Sequence, residues 1–329
     1  MCSSDLQTNN SVIFGERLIL KLFRRVEDGQ HPDLEISRFL TDVGFPNIAP
    51  VAGTLLYRRD RRRTAALAML QAYVPNQGDA WSHVLTELSA NGDGAERYAP
   101  FAALLGKRTA EMHLALASRP DDPNFAPEPT LMLDARSVYQ SVRSLSTQVL
   151  QLLRARQDHL TGEARADAEA VLRGWDQMHH RLRALIGRPI TARRIRCHGD
   201  YHLGQVLFTG GDFVIIDFEG EPARPLRERR LKRWALRDVA GMLRSFAYAG
   251  EAAQLPHGAA WAKAAGDAFV DAYLAAAGAS FLPADVEERN LLLDVMLIEK
   301  ALYELRYELD HRPDWVRIPL RGLAGLMES

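Results

Sequence analysis

Asp200, Gln205 and Asp217 are the residues whose types and spacing could carry a group transfer. They sit in one short stretch, His198-Gly199-Asp200-Tyr201-His202-Leu203-Gly204-Gln205-Val206, followed by Phe213-Val214-Ile215-Ile216-Asp217-Phe218-Glu219. Phosphoryl transfer needs a carboxylate within hydrogen-bond reach of the attacking hydroxyl, and oxygen ligands for magnesium on the phosphates. Magnesium keeps much of its shell as phosphate and water, so one amide and one carboxylate suffice. A hairpin between Leu207 and Phe213, turning at Gly210-Gly211, places Gln205 beside Asp217. The other half of such a site is a strand-borne cation for the nucleotide phosphates, held by a carboxylate on a packed helix. Lys21 lies in the apolar run Leu18 to Phe23, and Glu35 opens the next helical segment as its expected partner. The polar residues Gln7 to Ser11, with Asn9, Asn10 and Ser11 nearest the strand, predict a turn offering N–H groups and hydroxyls to phosphate.

These residues need positioning elements. Apolar, β-branched residues flank Gly15-Glu16 over 11–22, predicting a hairpin, and 50–57 with 64–74 predict a second around the basic run Arg58 to Arg63. No aromatic residue interleaves those arginines, so they read as a solvated turn. Pro32 starts a short helix that Gly44 and Pro46 end. Beyond Val74-Pro75-Asn76, helical periodicity predicts helices near 80–90, 97–118, 134–159, 163–186, 235–249, 259–277 and 284–310. The expected architecture is α+β, with a small strand-rich lobe over 1–74 and a helical lobe over 75–329.

Composition excludes several alternatives. With 41 basic against 42 acidic side chains the net charge is −1, which gives no global attraction to nucleic acid. No apolar stretch predicts a membrane span, and no secretory signal is legible. Cys2 and Cys197 cannot form a disulfide framework, so a reducing, cytoplasmic setting is expected. Cys197 reads as buried filler and His179-His180 as surface, since consecutive helical positions do not share a face. His198 reads chiefly as a loop-holding histidine. The opening Met1-Cys2-Ser3-Ser4-Asp5-Leu6 matches a frame of a common sequencing-adapter oligonucleotide, and these residues are expected to be an assembly artefact.

The stretch His198-Gly-Asp200-Tyr-His202-Leu-Gly-Gln205, then Ile216-Asp217-Phe-Glu219-Gly-Glu221-Pro, then Leu236-Arg-Asp238-Val resembles the protein-kinase-like small-molecule phosphotransferases, which include aminoglycoside phosphotransferases and choline kinases. Within them it looks like the maltokinases, some fused to trehalose synthase. The resemblance implies a bilobal protein-kinase-like fold and ATP- and Mg2+-dependent phosphorylation of maltose to maltose 1-phosphate for α-glucan synthesis. Trehalose synthase is then the expected partner. By the same resemblance Asp200 is the base, Gln205 and Asp217 bind magnesium, and Lys21 with Glu35 holds phosphate. Gln71, Tyr73 and Val74 would form a hinge reading adenine. His198, His202, Glu219, Tyr303, Glu304 and Tyr307 would face the sugar; Tyr303 and Tyr307 share a helical face. Maltokinases carry an amino-terminal cap and first strands ahead of the phosphate turn, so this nucleotide lobe is expected to be truncated. A different sugar or amino sugar, or a non-catalytic module, is the alternative.

Overall fold

The computed structural model describes residues 9–58, 60, 64–91 and 95–328. The opening residues 1–6, Gln7-Thr8 of the expected phosphate turn, and Arg59 with Arg61 to Arg63 of the basic run lie outside them. The small lobe is an antiparallel sheet of order β1-β2-β4-β3, formed by β1 (Asn9–Phe14), β2 (Leu18–Phe23), β3 (Val51–Arg58) and β4 (Thr64–Ala72), with α1 (Pro32–Asp42) packed on it. Strand alternation puts Lys21 and Phe23 on one face of β2. Phe23 packs there with Leu34, Ala66 and Met69, so the face that carries Lys21 is turned toward α1. Pro32 and the acidic Asp33 and Glu35 fill the first turn of α1, where a missing N–H is harmless and negative charge suits the helix dipole.

The helical lobe comprises α2 (Ala80–Asn91), α3 (Ala95–Leu116), α4 (Met132–Arg156), α5 (Gly162–Arg173), α6 (Trp175–Ala184), the short α7 (Leu226–Arg229), α8 (Leu236–Ala252), α9 (Gly258–Ala277), α10 (Val286–His311) and α11 (Arg317–Glu328). Two short ribbons interrupt it: β5 (Glu128–Pro129) with β6 (Arg193–Arg194), and β7 (Val206–Phe208) with β8 (Phe213–Ile215). The helical core is continuous from Ile36 through Phe269 to Met327. Helices α3 and α9 cross at backbone contact, because a Cβ on Gly106 would lie 2.1 Å from the Phe269 carbonyl oxygen.

Two departures from the periodicity have local causes. The single helix expected over 163–186 breaks at Gly174, which lies against α11: a side-chain carbon there would meet the Met327 sulfur at 2.5 Å. Helix α11 itself lies beyond the last predicted helix, and it contains Pro319, Gly322 and Gly325, residue types that weaken a helical pattern. Pro319 falls in its first turn, where proline is tolerated, and Ile318, Leu320, Leu323 and Met327 are buried. Among the described residues no helix is long and apolar enough to cross a membrane.

The β7-β8 ribbon anchors the link that follows β4 and bonds to the small lobe at Asn47. Gln77 N–H donates to the Phe208 carbonyl (2.8 Å), Phe208 N–H to that of Gly78 (2.9 Å) and Ile215 N–H to that of Asn47 (2.8 Å). The β7-β8 ribbon is thus hydrogen-bonded both to the segment after β4 and to the loop after α1.

Candidate active site

The Lys21 ammonium lies among three carboxylates: Asp33 at 2.7 Å, Asp217 at 2.5 Å and Glu219 at 2.9 Å. Burial opposes its charge, but these three neighbours hold its pKa well above the ordinary lysine value. Burial also opposes the Asp217 charge, and Lys21 overcomes it, lowering that pKa. Glu219 goes the other way: burial and repulsion from Asp217 and Asp33 outweigh Lys21 and raise it. Ligand atoms of Asp33, Asp217 and Glu219 lie within 4.8 Å of one another. One cation among three carboxylates leaves excess negative charge, which suits a divalent metal.

Glu35 is not the partner of Lys21. Positions two apart on a helix are about 200° apart around its axis. Asp33 therefore faces the sheet, where it also accepts from Phe218 N–H at 2.9 Å, while Glu35 points to Arg196 (2.9 Å) and Arg230 (2.7 Å). Glu219, expected at the sugar, belongs instead to the Lys21 cluster. Asp217 and Glu219 stand in the loop after β8, on either side of the buried Phe218. Glu219 also accepts from the Asn9 side chain.

Asn9, Asn10 and Ser11 form strand rather than a phosphate turn: they pair with Phe23, Leu22 and Lys21. The Asn10 side chain takes Arg24 at 3.1 Å. Gln71 lies inside β4 opposite Ile19, its side-chain amide donating to the Ala49 carbonyl at 3.0 Å. Tyr73 N–H, expected to read adenine, is committed to the Arg17 carbonyl at 2.9 Å, and the Val74 carbonyl accepts from Asn76 at 2.8 Å.

Asp200 stands on a loop that other elements hold rigidly. Asp238, near the start of α8 and 1% exposed, accepts from His198 N–H (2.7 Å) and Gly199 N–H (2.9 Å), and bonds His113 of α3 (3.0 Å). His113 in turn bonds the Tyr273 hydroxyl at 2.9 Å. Gly241 lets α8 approach, since a Cβ there would lie 2.5 Å from the Tyr201 carbonyl oxygen. Replacing Asp238 by Ala strands two buried N–H groups and a buried imidazole. The expected loss of stability is about 3 kcal/mol, read as the shift of the urea unfolding midpoint.

Asp200 and Asp217 come from loops in contact. Gly199 takes a φ of 88°, and a Cβ on it would lie 3.2 Å from the Gly220 Cα. Ile216 N–H donates to the Gln205 carbonyl (3.0 Å), extending the ribbon so that Gln205 runs beside Asp217. Asp217 is left-handed, with φ of 66°, a region open to few non-glycine residues. His198 is not a sugar contact. It is 1% exposed, with Nε2 on the Ile216 carbonyl (2.9 Å) and Nδ1 facing Asp200 N–H (3.4 Å), so it ties the two loops.

Beyond Asp200 a cleft opens, lined by His202, Glu221, Tyr248, Lys300, Tyr303, Glu304, Tyr307, Glu308 and Arg312. Lys300 Nζ lies 3.4 Å from Asp200. Burial would raise the Asp200 pKa, but Lys300, His202 and His198 bring it down to about 2. Glu304 pairs with Arg244 at 2.8 Å, and Glu308 accepts from Tyr248 (3.0 Å) and Arg312 (2.6 Å). Tyr303 lies against Lys300 and Arg306, and Tyr307 is stacked on His311 with ring centroids 4.5 Å apart. At the floor, Arg237 bridges Glu299 (3.0 Å) and Glu221 (3.5 Å).

Sequence reasoning passed over Asp33, Lys300, Glu299 and the Asp238–His113 pair. Asp33 carried a signal, since the spacing of Phe23 and Lys21 fixes the sheet face that α1 must meet. Lys300 carried none. Trp234, just ahead of α8, is held by its indole N–H donating to Thr130 at 2.9 Å.

Two buried histidines near the site give a pH prediction. Burial lowers both His31 and His202 to about 4. Between about pH 6.5 and 4 the unfolded chain binds more protons at these positions than the folded one, so stability falls on acidification by up to about 1.4 kcal/mol per pH unit for each histidine. Stability is unaffected by them above that window. Chemical denaturation at stepped pH should show the slope, and His31→Gln and His202→Gln should each flatten it.

Residues 4–292 match the phosphotransferase enzyme family. The chain is 29% identical to a glucosamine kinase of Streptacidiphilus jiangxiensis, over 98% of this chain and 72% of that protein. It is 28% identical to one of Mycolicibacterium smegmatis, over 98% and 78%. A glucosamine kinase solved with glucosamine, ADP and inorganic phosphate superposes with a TM-score of 0.76 at 26% identity, covering 96% of this chain and 74% of that one. Spectinomycin phosphotransferase shares the fold, with a TM-score of 0.54 at 14% identity. With a family match spanning both lobes and the kinase-like fold now described, the chain belongs to the phosphotransferase enzyme family.

Proposed function

We propose that this chain transfers the γ-phosphoryl group of ATP to a hydroxyl of an amino sugar of the glucosamine type. The observation that carries the reading is the acceptor cleft beyond Asp200, where Glu221, Glu304 and Glu308, each already held by an arginine, would have to share an oxygen with the ammonium. The likeness to glucosamine kinases, one solved with glucosamine and ADP, points the same way. Maltose, the acceptor expected from the motifs, gains no support from these relatives, nor does a trehalose synthase partner. Aromatic platforms for a neutral disaccharide are compromised as well, since Tyr307 is stacked on His311 and flanked by Arg312.

In this reading Asp200, ionised at neutral pH, accepts a hydrogen bond from the acceptor hydroxyl and aligns its oxygen for in-line attack. Asp217, with Glu219 and the Gln205 amide beside it, would hold magnesium, which neutralises charge on the phosphates when bound. Lys21 is poised to exchange a carboxylate for a phosphate oxygen. Lys300 holds Asp200 in its charged form.

Coupled ATP turnover with glucosamine, glucose, maltose and kanamycin tests the acceptor. Glucosamine should exceed glucose in kcat/KM by roughly 10- to 10²-fold, since a hydrogen bond to a charged group is worth about 1.5–3 kcal/mol. Equal turnover of glucose and glucosamine, or a preference for maltose, overturns the reading.

A further inference from the structure

We infer that Glu35 is a positioning residue that fixes helix α1 between the phosphate-binding cluster and the catalytic loop, through Arg196 and Arg230. The inference rests on the proposed phosphoryl transfer for its kinetic consequence, but not for its geometry. Glu35 Oε2 accepts from Arg196 Nη1 at 2.9 Å and from Arg230 Nε at 2.8 Å, while Oε1 accepts from Arg230 Nη2 at 2.7 Å. Glu35 and Arg196 are withdrawn from solvent and Arg230 is half-buried: the side chains are 9%, 2% and 31% exposed in that order.

The three partners come from three parts of the fold. Arg196 lies on the extended stretch leading directly into Asp200, and its guanidinium also sits over the Phe125 ring, 5.3 Å from the centroid. Phe125 is stacked on Phe39 of the same helix as Glu35. Arg230 follows α7, and its neighbour Arg229 reaches Glu27 of the small lobe at 3.2 Å. Arg230 also donates to Gln30 at 2.8 Å. The arginine-rich run 227–233 therefore straps the small lobe at 27–35.

Helix α1 thus carries two carboxylates with different addresses. Asp33 meets Lys21 and the Phe218 amide, next to Asp217. Glu35, on another side of the helix, meets Arg196 on the extended segment that leads to Asp200. Because an α-helix is stiff over one turn, the two contacts fix the separation between the metal-phosphate end of the cleft and the residue that aligns the acceptor. Misplacement of about 1 Å can cost roughly 10²-fold in rate.

Glu35→Gln alone leaves the buried Arg196 charge without its carboxylate and is expected to fold poorly. The informative variants are therefore Glu35→Gln with Arg196→Met, which removes both charges, and Arg230→Gln, which loosens the latch at its more exposed end. In the double variant the expected result is a kcat lowered by about 10- to 100-fold, with the KM for the acceptor and the affinity for ADP near those of the unaltered chain. Hydrogen exchange should rise in 33–39 and 226–231 and stay unchanged in α3 and α9. Arg230→Gln should show the same pattern more weakly, and Arg230→Lys should recover part of the loss.

A double variant that folds and keeps full kcat with unchanged exchange overturns the inference. A fall in thermal stability whose lost activity returns fully on cooling also overturns it, because the role is then structural only. If the unaltered chain phosphorylates no acceptor, the acceptor reading fails alone; unchanged exchange in 33–39 and 226–231 would still reject the latch, and raised exchange would support it.

Discussion

Asp200→Asn lowers kcat by about 10²- to 10⁴-fold, the range for losing a positioned acid–base group, while ADP binds with close to its original affinity. The substitution is nearly isosteric, so the hydrogen bond from the loop and the packing around His198 and Tyr201 remain. What disappears is the negative charge facing Lys300 at 3.4 Å. An amide in that place can donate to the acceptor hydroxyl as readily as accept from it, so the attacking oxygen loses its alignment. Because Lys300 and two histidines hold the Asp200 pKa near 2, against the effect of burial, the carboxylate stays ionised throughout the physiological range. Its own titration should therefore leave no acid limb in kcat above about pH 4. A variant with near-normal turnover would remove Asp200 from the chemistry.

The second large effect is expected at Asp217. Its φ of 66° makes alanine a poor probe, since strain would be mixed with loss of charge. Asparagine tolerates that region, so Asp217→Asn removes one charge and little else. The remaining carboxylates, Asp33 and Glu219, still surround Lys21 at 2.7 and 2.9 Å. The expected outcome is loss of the magnesium dependence of ADP binding and a fall in kcat of about 10²- to 10³-fold, the range for removing one electrostatic stabiliser. Titration of ADP with and without magnesium reads it directly. ADP affinity that still rises with magnesium as in the unaltered chain would place the metal elsewhere.

The sequence made the chemistry-bearing loop legible because its residues are close in the chain. Asp200, Gln205 and Asp217 are joined by one short ribbon, and a hairpin predicted from Gly210-Gly211 is enough to bring them together. Helix and strand order were legible for the same reason, since periodicity is local. Side-chain partners across the lobes were not. Glu35 and Asp33 are both acidic residues in the first turn of α1, and only the face that packs on β2 distinguishes them. Glu219 went to the wrong end of the cleft because its neighbours depend on the course of the loop after β8. Asn9 to Ser11 read as a turn because small polar residues favour turns, but pairing with Leu22 and Lys21 overrides that preference. The acceptor is the least legible part, because the phosphate-handling motifs are shared across the family, whereas most of the cleft beyond Asp200 is lined from α8 and α10, which carry no short motif.

The Lys21 cluster and Asp200 are expected to serve one reaction, on an amino sugar. Single-turnover transfer from γ-labelled ATP to glucosamine, with magnesium and enzyme in excess, tests it most directly. The predicted result is a labelled phosphosugar formed in step with ADP by the unaltered chain and not by Asp200→Asn. Label released as free phosphate with no phosphosugar, or equal transfer by Asp200→Asn, would contradict it.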